Sequence, residues 1–323
     1  MPWELAFLPD GRILLTERPG RVRVIENGRL RPEPVATLPE VAARGEGGLL
    51  GLALDPDFAR NRLLYLYHTY QADDGLRNRV VRYAEANGAL TDQHVVLDGA
   101  LAASIHDGGR IAFGPDGKLY VTVGDASQPD LAQSRDTLNG KILRLDPDGA
   151  IPSDNPFPGS PVYSYGHRNP EGLAWQPGTN QLYATEHGQS AHDEVNRIVA
   201  GANYGWPEMR GNEGARAGFT GPVIESGAEV TWAPSGATFV RADIFPQWRG
   251  SLVFGGLASR TLWRLALPAG GAPRLEALVK GDYGRLRDVV EAPDGSLYVL
   301  TSNRDGRGDP TPDDDRVLRL VPR

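Results

Sequence analysis

One arrangement recurs six times along the chain: an apolar strand, a turn built on Pro-Asp or Pro-Gly, a second strand rich in Leu, Tyr and Val, a loop, and a strand carrying Arg among aliphatics. The first copy runs over residues 5–16 and closes at 21–25; the second runs from 51–57 through 63–67 to 79–83. The others span 111–145, 172–198, 236–265 and 288–320. A unit of roughly 50 residues with three or four strands buries its faces only against neighbouring copies, which is the sequence signature of propeller blades. The expected architecture is therefore all-β: a six-bladed β-propeller with roughly four antiparallel strands per blade, residues 1–323 forming one domain. Forty glycines, 26 prolines and hardly any helical periodicity fit many short strands separated by turns.

Composition removes several classes of function. A net charge of −7 with scattered basic residues offers no broad attraction to phosphate backbones, so nucleic acid is not an expected partner. No apolar run approaches the roughly 20 residues that span a bilayer. With no cysteine, thiolate metal sites and cysteine nucleophiles are excluded, and hard cations such as calcium become the expected metals. The sequence opens almost inside a strand at Pro2, which suggests that an upstream secretion signal is missing from it.

A propeller crowds the loops at one mouth of its axial funnel, where function is expected. Polar, glycine-rich insertions break the repeat at 43–48, 104–109, 164–169, 185–204, 227–234 and 281–287, one for each blade. The segment 104–125 sets His106 before one strand and Asp125 after the next, with a Pro-Asp-Gly turn between them. Two antiparallel strands return the chain to its starting level, so the two side chains can meet as a base and its orienting carboxylate.

Arg168, in Gly-His-Arg-Asn-Pro, carries a planar fork suited to an anionic or carbonyl-bearing ligand, its plain alternative being a surface ion pair. Residues 185–207 hold carboxylates, amides and freely bending glycine carbonyls, a donor set for calcium; zinc at His187 and His192 is a weaker rival, and a purely structural loop a third. Arg285 and Arg287 alternate along an extended segment and so share a face, toward one anion or toward blade-surface carboxylates. The acidic stretch 303–315 lacks EF-hand spacing and reads as a solvated loop.

In their order and context these motifs resemble, nearly end to end, the soluble sugar dehydrogenases that use pyrroloquinoline quinone, the aldose sugar dehydrogenase branch of the glucose/sorbosone dehydrogenase family. The resemblance implies a six-bladed propeller that oxidises the anomeric hydroxyl of an aldose to a lactone. It implies His106 as catalytic base, Asp125 as its orienting carboxylate, and Arg168 polarising the quinone oxygen. Cofactor contacts are implied at Glu46, His106, Arg168, Asn169, Thr231, Arg285 and Arg287. The carbonyls of Gly188 and Gln189 are implied to hold the cofactor's calcium, and Glu194 and Tyr204 a second, structural calcium. Glu46 stands where such relatives often carry Gln, and Ala258 where some carry a cofactor-binding Lys. The expected partners are an aldose and an external electron acceptor, with a monomer as the default state and a periplasmic or secreted location. Two other classes remain: a calcium-dependent lactonase-type hydrolase, and a non-catalytic carbohydrate-binding propeller, since the fold alone implies no chemistry.

Overall fold

The computed structural model describes residues 1–86 and 88–322. Six antiparallel sheets follow one another along the chain, each built from consecutive strands, and together they form a six-bladed β-propeller. Blades 2 to 5 have four strands each. Blade 1 has five, because two short segments, Arg29–Leu30 and Ala36–Thr37, pair side by side with its third strand. Blade 6 has three among the described residues.

The inner strands, in ring order, are Pro2–Phe7, Leu49–Leu54, Ile111–Phe113, Pro170–Trp175, Pro234–Phe239 and Leu286–Glu291. Outside them lie the second strands Ile13–Glu17, Leu63–Ala72, Leu119–Val123, Leu182–Glu186, Leu252–Gly256 and Leu297–Thr301. Blades cover both faces of a second strand, so it is buried along its length: all five residues are buried in Ile13–Glu17, Leu119–Val123, Leu182–Glu186 and Leu252–Gly256. In blade 3 the turn between inner and second strands is closed by the Gly114 N–H donating to the Lys118 carbonyl, while Asp116 accepts from the Lys118 N–H. That fixes the register from Ile111 opposite Val121 to Phe113 opposite Leu119.

Among the described residues no strand is exchanged between the first and last blades, and side chains close the ring. Leu5, Ile13 and Leu15 of blade 1 share a core with Leu300 of blade 6, and Phe7 meets Tyr298 edge-on at 5.1 Å. Each such side chain fully buried contributes about 1.5–3 kcal/mol. Beneath the funnel the axis is sealed by charge. Arg110 of blade 3 lies 2.8 Å from Glu4 of blade 1 and 3.3 Å from Asp288 of blade 6, and its Nε donates to the Glu171 carbonyl of blade 4. Trp3 covers this guanidinium at 4.3 Å. Gly236 is required here, since a Cβ would stand 1.7 Å from the Asp288 carboxylate. No helix among the described residues is long and apolar enough to cross a membrane.

Candidate functional site

In an antiparallel blade the entry to the inner strand and the exit from the second strand lie at the same level. Six entry loops and six exit loops therefore ring one mouth of the funnel. Entries supply Glu46, His106, Arg168, Thr231 and Arg285; exits supply Arg18, Asp125, His187 and Gly188, Leu257 and Ala258, and the segment 305–307. All of these except Asp125, which stands behind His106, line a cavity of about 440 Å³, within the range of small-molecule sites.

His106 and Asp125 meet as the hairpin argument expects, with His106 Nδ1 2.7 Å from Asp125 Oδ1. Asp125 is fully buried and accepts two further donors, the Ser127 N–H at 2.8 Å and Trp206 Nε1 at 2.8 Å. With both oxygens acting as acceptors, the carboxylate accepts a hydrogen bond from the Nδ1–H of His106, leaving Nε2 as the ring's free acceptor beside the cavity. The backbone is forced at this point: His106 has φ +66°, a conformation that costs a non-glycine residue on the order of 1–2 kcal/mol. It is held by Glu46, whose carboxylate accepts the His106 N–H, and by the Ala126 N–H donating to the His106 carbonyl. Gly124 permits the approach, for a Cβ there would lie 2.0 Å from that carbonyl and 2.8 Å from the Asn169 side chain.

Five guanidinium groups line the cavity: Arg18, Arg168, Arg285, Arg287 and Arg307. Arg287 pairs with Glu171 at 2.5 Å, Arg285 with Asp305 at 2.8 Å, and Arg307 with Glu46 at 2.8 Å. Arg168 donates to the His187 carbonyl at 3.2 Å and lies over the Trp206 ring. The Nε groups of Arg18, Arg168 and Arg287 are buried without a partner. Burial by itself would raise the Glu171 carboxyl, but His187 and Arg287 beside it bring it down to about 2. It is therefore a fixed anion steering two groups of the cavity wall.

Thr231 donates to Asp193, which also accepts the backbone N–H groups of Gly188, Trp232 and Ala233. This one carboxylate clips the blade 4 exit loop to the blade 5 entry loop. Asn169 stands behind the wall: it is fully buried, accepts the Gly108 N–H and donates to Glu171. Gly188 lines the main cavity, and together with Gln189, Glu194 and Tyr204 it also lines a much smaller one of about 10 Å³ next to Arg168 and Trp206. Burial, and then Glu186 nearby, push the Glu194 carboxyl well above its usual range. The Tyr204 hydroxyl donates to the Arg197 carbonyl and its ring stacks on His167. The described residues contain no cluster of three or more His, Asp or Glu side chains disposed to hold a metal, so a cation here would rest largely on carbonyl oxygens.

Sequence reasoning passed over Arg18, Glu171, His187 as a cavity residue, Asp193, Asp305 and Arg307. The stretch 303–315, read as solvated, instead places Asp305 and Arg307 in the cavity wall. The repeat register held a signal for some of these, since Arg18 and His187 each directly follow the second strand of their blade, in the exit loop that carries Asp125 in blade 3.

Comparison with known proteins adds the following. A family model described as glucose/sorbosone dehydrogenase matches residues 1–314. The aldose sugar dehydrogenase YliI of Escherichia coli K12 is 37% identical over 328 residues, covering 94% of this chain and 88% of its own. The PQQ-bound aldose sugar dehydrogenase of Streptomyces coelicolor superposes with a TM-score of 0.90 at 42% identity, covering 99% of this chain and 93% of its own. A gluconolactonase of Xanthomonas campestris superposes with a TM-score of 0.54 at 14% identity, over 93% of this chain and 83% of its own, a likeness of fold alone.

Proposed function

The chain belongs to the glucose/sorbosone dehydrogenase family, and from that premise we propose that it oxidises an aldose at its anomeric carbon to the lactone, using pyrroloquinoline quinone and calcium. The observation that carries this reading is the convergence of His106, with its Nε2 free, and five guanidinium groups on one cavity. The donor set suits a flat polycarboxylate. Three of the arginines have a buried Nε without a partner, which an anionic ligand would neutralise, and planar guanidinium forks match carboxylates. The Gly188 and Gln189 carbonyls would hold the cofactor's calcium and Glu194 and Tyr204 a second, structural one; the supporting observation for the second is the buried Glu194 beside Glu186 in a tight cavity. A cation there would relieve that crowding of negative charge.

When bound, the quinone supplies a two-electron acceptor and calcium polarises it. The chain's own residues do the rest. His106 Nε2 takes the proton of the anomeric hydroxyl as the C1–H bond breaks, and Asp125 holds the ring in the accepting tautomer and stabilises the imidazolium that forms. Arg168, in the cavity wall, would stabilise negative charge developing on the acceptor side. Arg285 and Arg287 anchor acid groups, while Glu171 and Asp305 fix the two guanidinium planes. Thr231 and Gly188 are set in register by Asp193. The reading carries with it an external electron acceptor and a periplasmic or secreted location.

A hydrolytic centre on the axis would need free carboxylates there, and Glu4 and Asp288 are instead taken up by Arg110. Reconstituting the apoprotein with the quinone and calcium, then following dye bleaching with a panel of aldoses, tests the proposal. Sugar-dependent bleaching is expected, and sugar binding without dye reduction would contradict it. His106→Gln is expected to keep quinone binding and to lose turnover by about 10²–10⁴; near-normal turnover in that variant would remove His106 from the mechanism.

A further inference from the structure

Arg18 directly follows the second strand of blade 1, the position that holds His187 in blade 4, in the exit loop that carries Asp125 in blade 3. It lines the main cavity and is 9% exposed. Among the described residues no group hydrogen-bonds to or pairs with its guanidinium, and its Nε is sealed off without a partner. The other four cavity arginines are engaged: Arg285 by Asp305, Arg287 by Glu171, Arg307 by Glu46 and Arg168 by the His187 carbonyl. Four carboxylates line the same cavity, Glu46, Glu171, Asp193 and Asp305. Three are the partners just named, and the fourth, Asp193, is saturated by Thr231 and three backbone N–H groups. Arg18 and Arg168 are thus the two cavity arginines that no carboxylate pairs, and of these Arg18 alone lacks even a carbonyl partner among the described residues.

A buried charge with no counter-charge weakens a fold unless something completes it. Burial, reinforced by the like charge of Arg287 and only partly offset by Asp305, Glu46 and Asp107, none of which pairs with it, also weakens the hold of Arg18 on its proton. Both penalties are removed by an anion in the cavity within reach of Arg18 and Arg287. Ala258, on the blade 5 exit, brings no charge to the same cavity.

We propose that Arg18 is a further cofactor-binding residue, receiving a carboxylate of the bound polycarboxylate from blade 1 while Arg285 and Arg287 hold the cofactor from blade 6. This rests on the quinone reading given above. It makes Arg18 a residue retained for the ligand at the expense of the empty fold, so its two effects have opposite signs.

The test is titration of the calcium-loaded full chain with pyrroloquinoline quinone, followed by quenching of tryptophan fluorescence, for the wild type, Arg18→Met and Arg18→Lys, with thermal melts of each protein free of quinone. Losing one charge-assisted contact is expected to weaken quinone binding of Arg18→Met by about ten- to a hundredfold. Without quinone, Arg18→Met is expected to melt no lower than the wild type, and Arg18→Lys to recover part of the affinity. Binding by Arg18→Met within twofold of the wild type would overturn the assignment, and so would a quinone-free Arg18→Met that melts well below the wild type, which would make the residue structural. A wild type that fails to bind the quinone would instead overturn the functional reading on which the assignment depends.

Discussion

Asp125→Asn is the most informative single change at the site. The native carboxylate accepts three donors on two oxygens: His106 Nδ1 and the Ser127 N–H on Oδ1, and Trp206 Nε1 on Oδ2. An asparagine has one acceptor oxygen, so one side must fail. If its oxygen faces His106, the amide N–H₂ confronts the Trp206 N–H, and a buried donor left unpaired costs about 1–3 kcal/mol of stability. If the amide faces His106, the ring takes the opposite tautomer, Nε2 carries the proton, and the base is lost. Either way the charge that stabilises the imidazolium has gone. General-base catalysis contributes roughly 10²–10⁴ in rate, or about 3–5 kcal/mol of barrier, and most of that is expected to disappear. The assay is sugar-dependent dye reduction by quinone-loaded enzyme over a range of pH, alongside chemical denaturation. Turnover within threefold of the wild type at every pH, in a protein of undiminished stability, would refute the role assigned to Asp125.

Gly124→Ala drives a Cβ to 2.0 Å from the His106 carbonyl, so a loss of about 1–3 kcal/mol in denaturant stability and a larger proportional loss of turnover are expected, with both read on the same preparation. Burial pushes the Asp107 carboxyl from 3.8 up to about 7, against the opposing hydrogen bonds from Asn78 and Ala103. The folded state then holds a proton that the unfolded state releases near pH 4, so the stabilisation is full below pH 4 and is lost as pH rises through 7, by about 4 kcal/mol. In Asp107→Asn, denaturation midpoints at pH 5 and pH 8 are expected to draw together; an unchanged gap would contradict this. Exhaustive chelation is expected to lower activity and melting temperature together, because a metal bound only by the folded state adds stability by mass action; an enzyme indifferent to chelation would remove calcium from the proposal.

The blades were legible in the sequence because burial on both faces makes a second strand such as Leu119–Val123 rich in Leu, Tyr and Val, and Pro-Asp-Gly marks the turn before it. The meeting of His106 and Asp125 was legible for the same local reason, since one hairpin brings together residues 19 apart. Arg307 and Glu46 were not, because they are 261 residues apart and meet only through closure of the ring. Arg18 sits in Thr-Glu-Arg-Pro-Gly, which reads as an ordinary turn after a strand. Only the blade-to-blade register shows that this position faces the funnel, and only the three-dimensional pairing of its neighbours shows that no carboxylate is left to pair with it. Asn169 illustrates the reverse: its neighbour Arg168 faces the cavity, but the Asn169 side chain turns back to accept the Gly108 N–H.

The central claim is that an imidazole with a free nitrogen and a set of guanidinium groups close around one flat, acidic redox molecule. A crystal structure of the protein soaked with pyrroloquinoline quinone and calcium tests it most directly. Density for the tricyclic acid between His106 and Arg287 is the expected result. Density confined to another surface, such as the groove bordered by Tyr120, Tyr163 and Trp175, would contradict it.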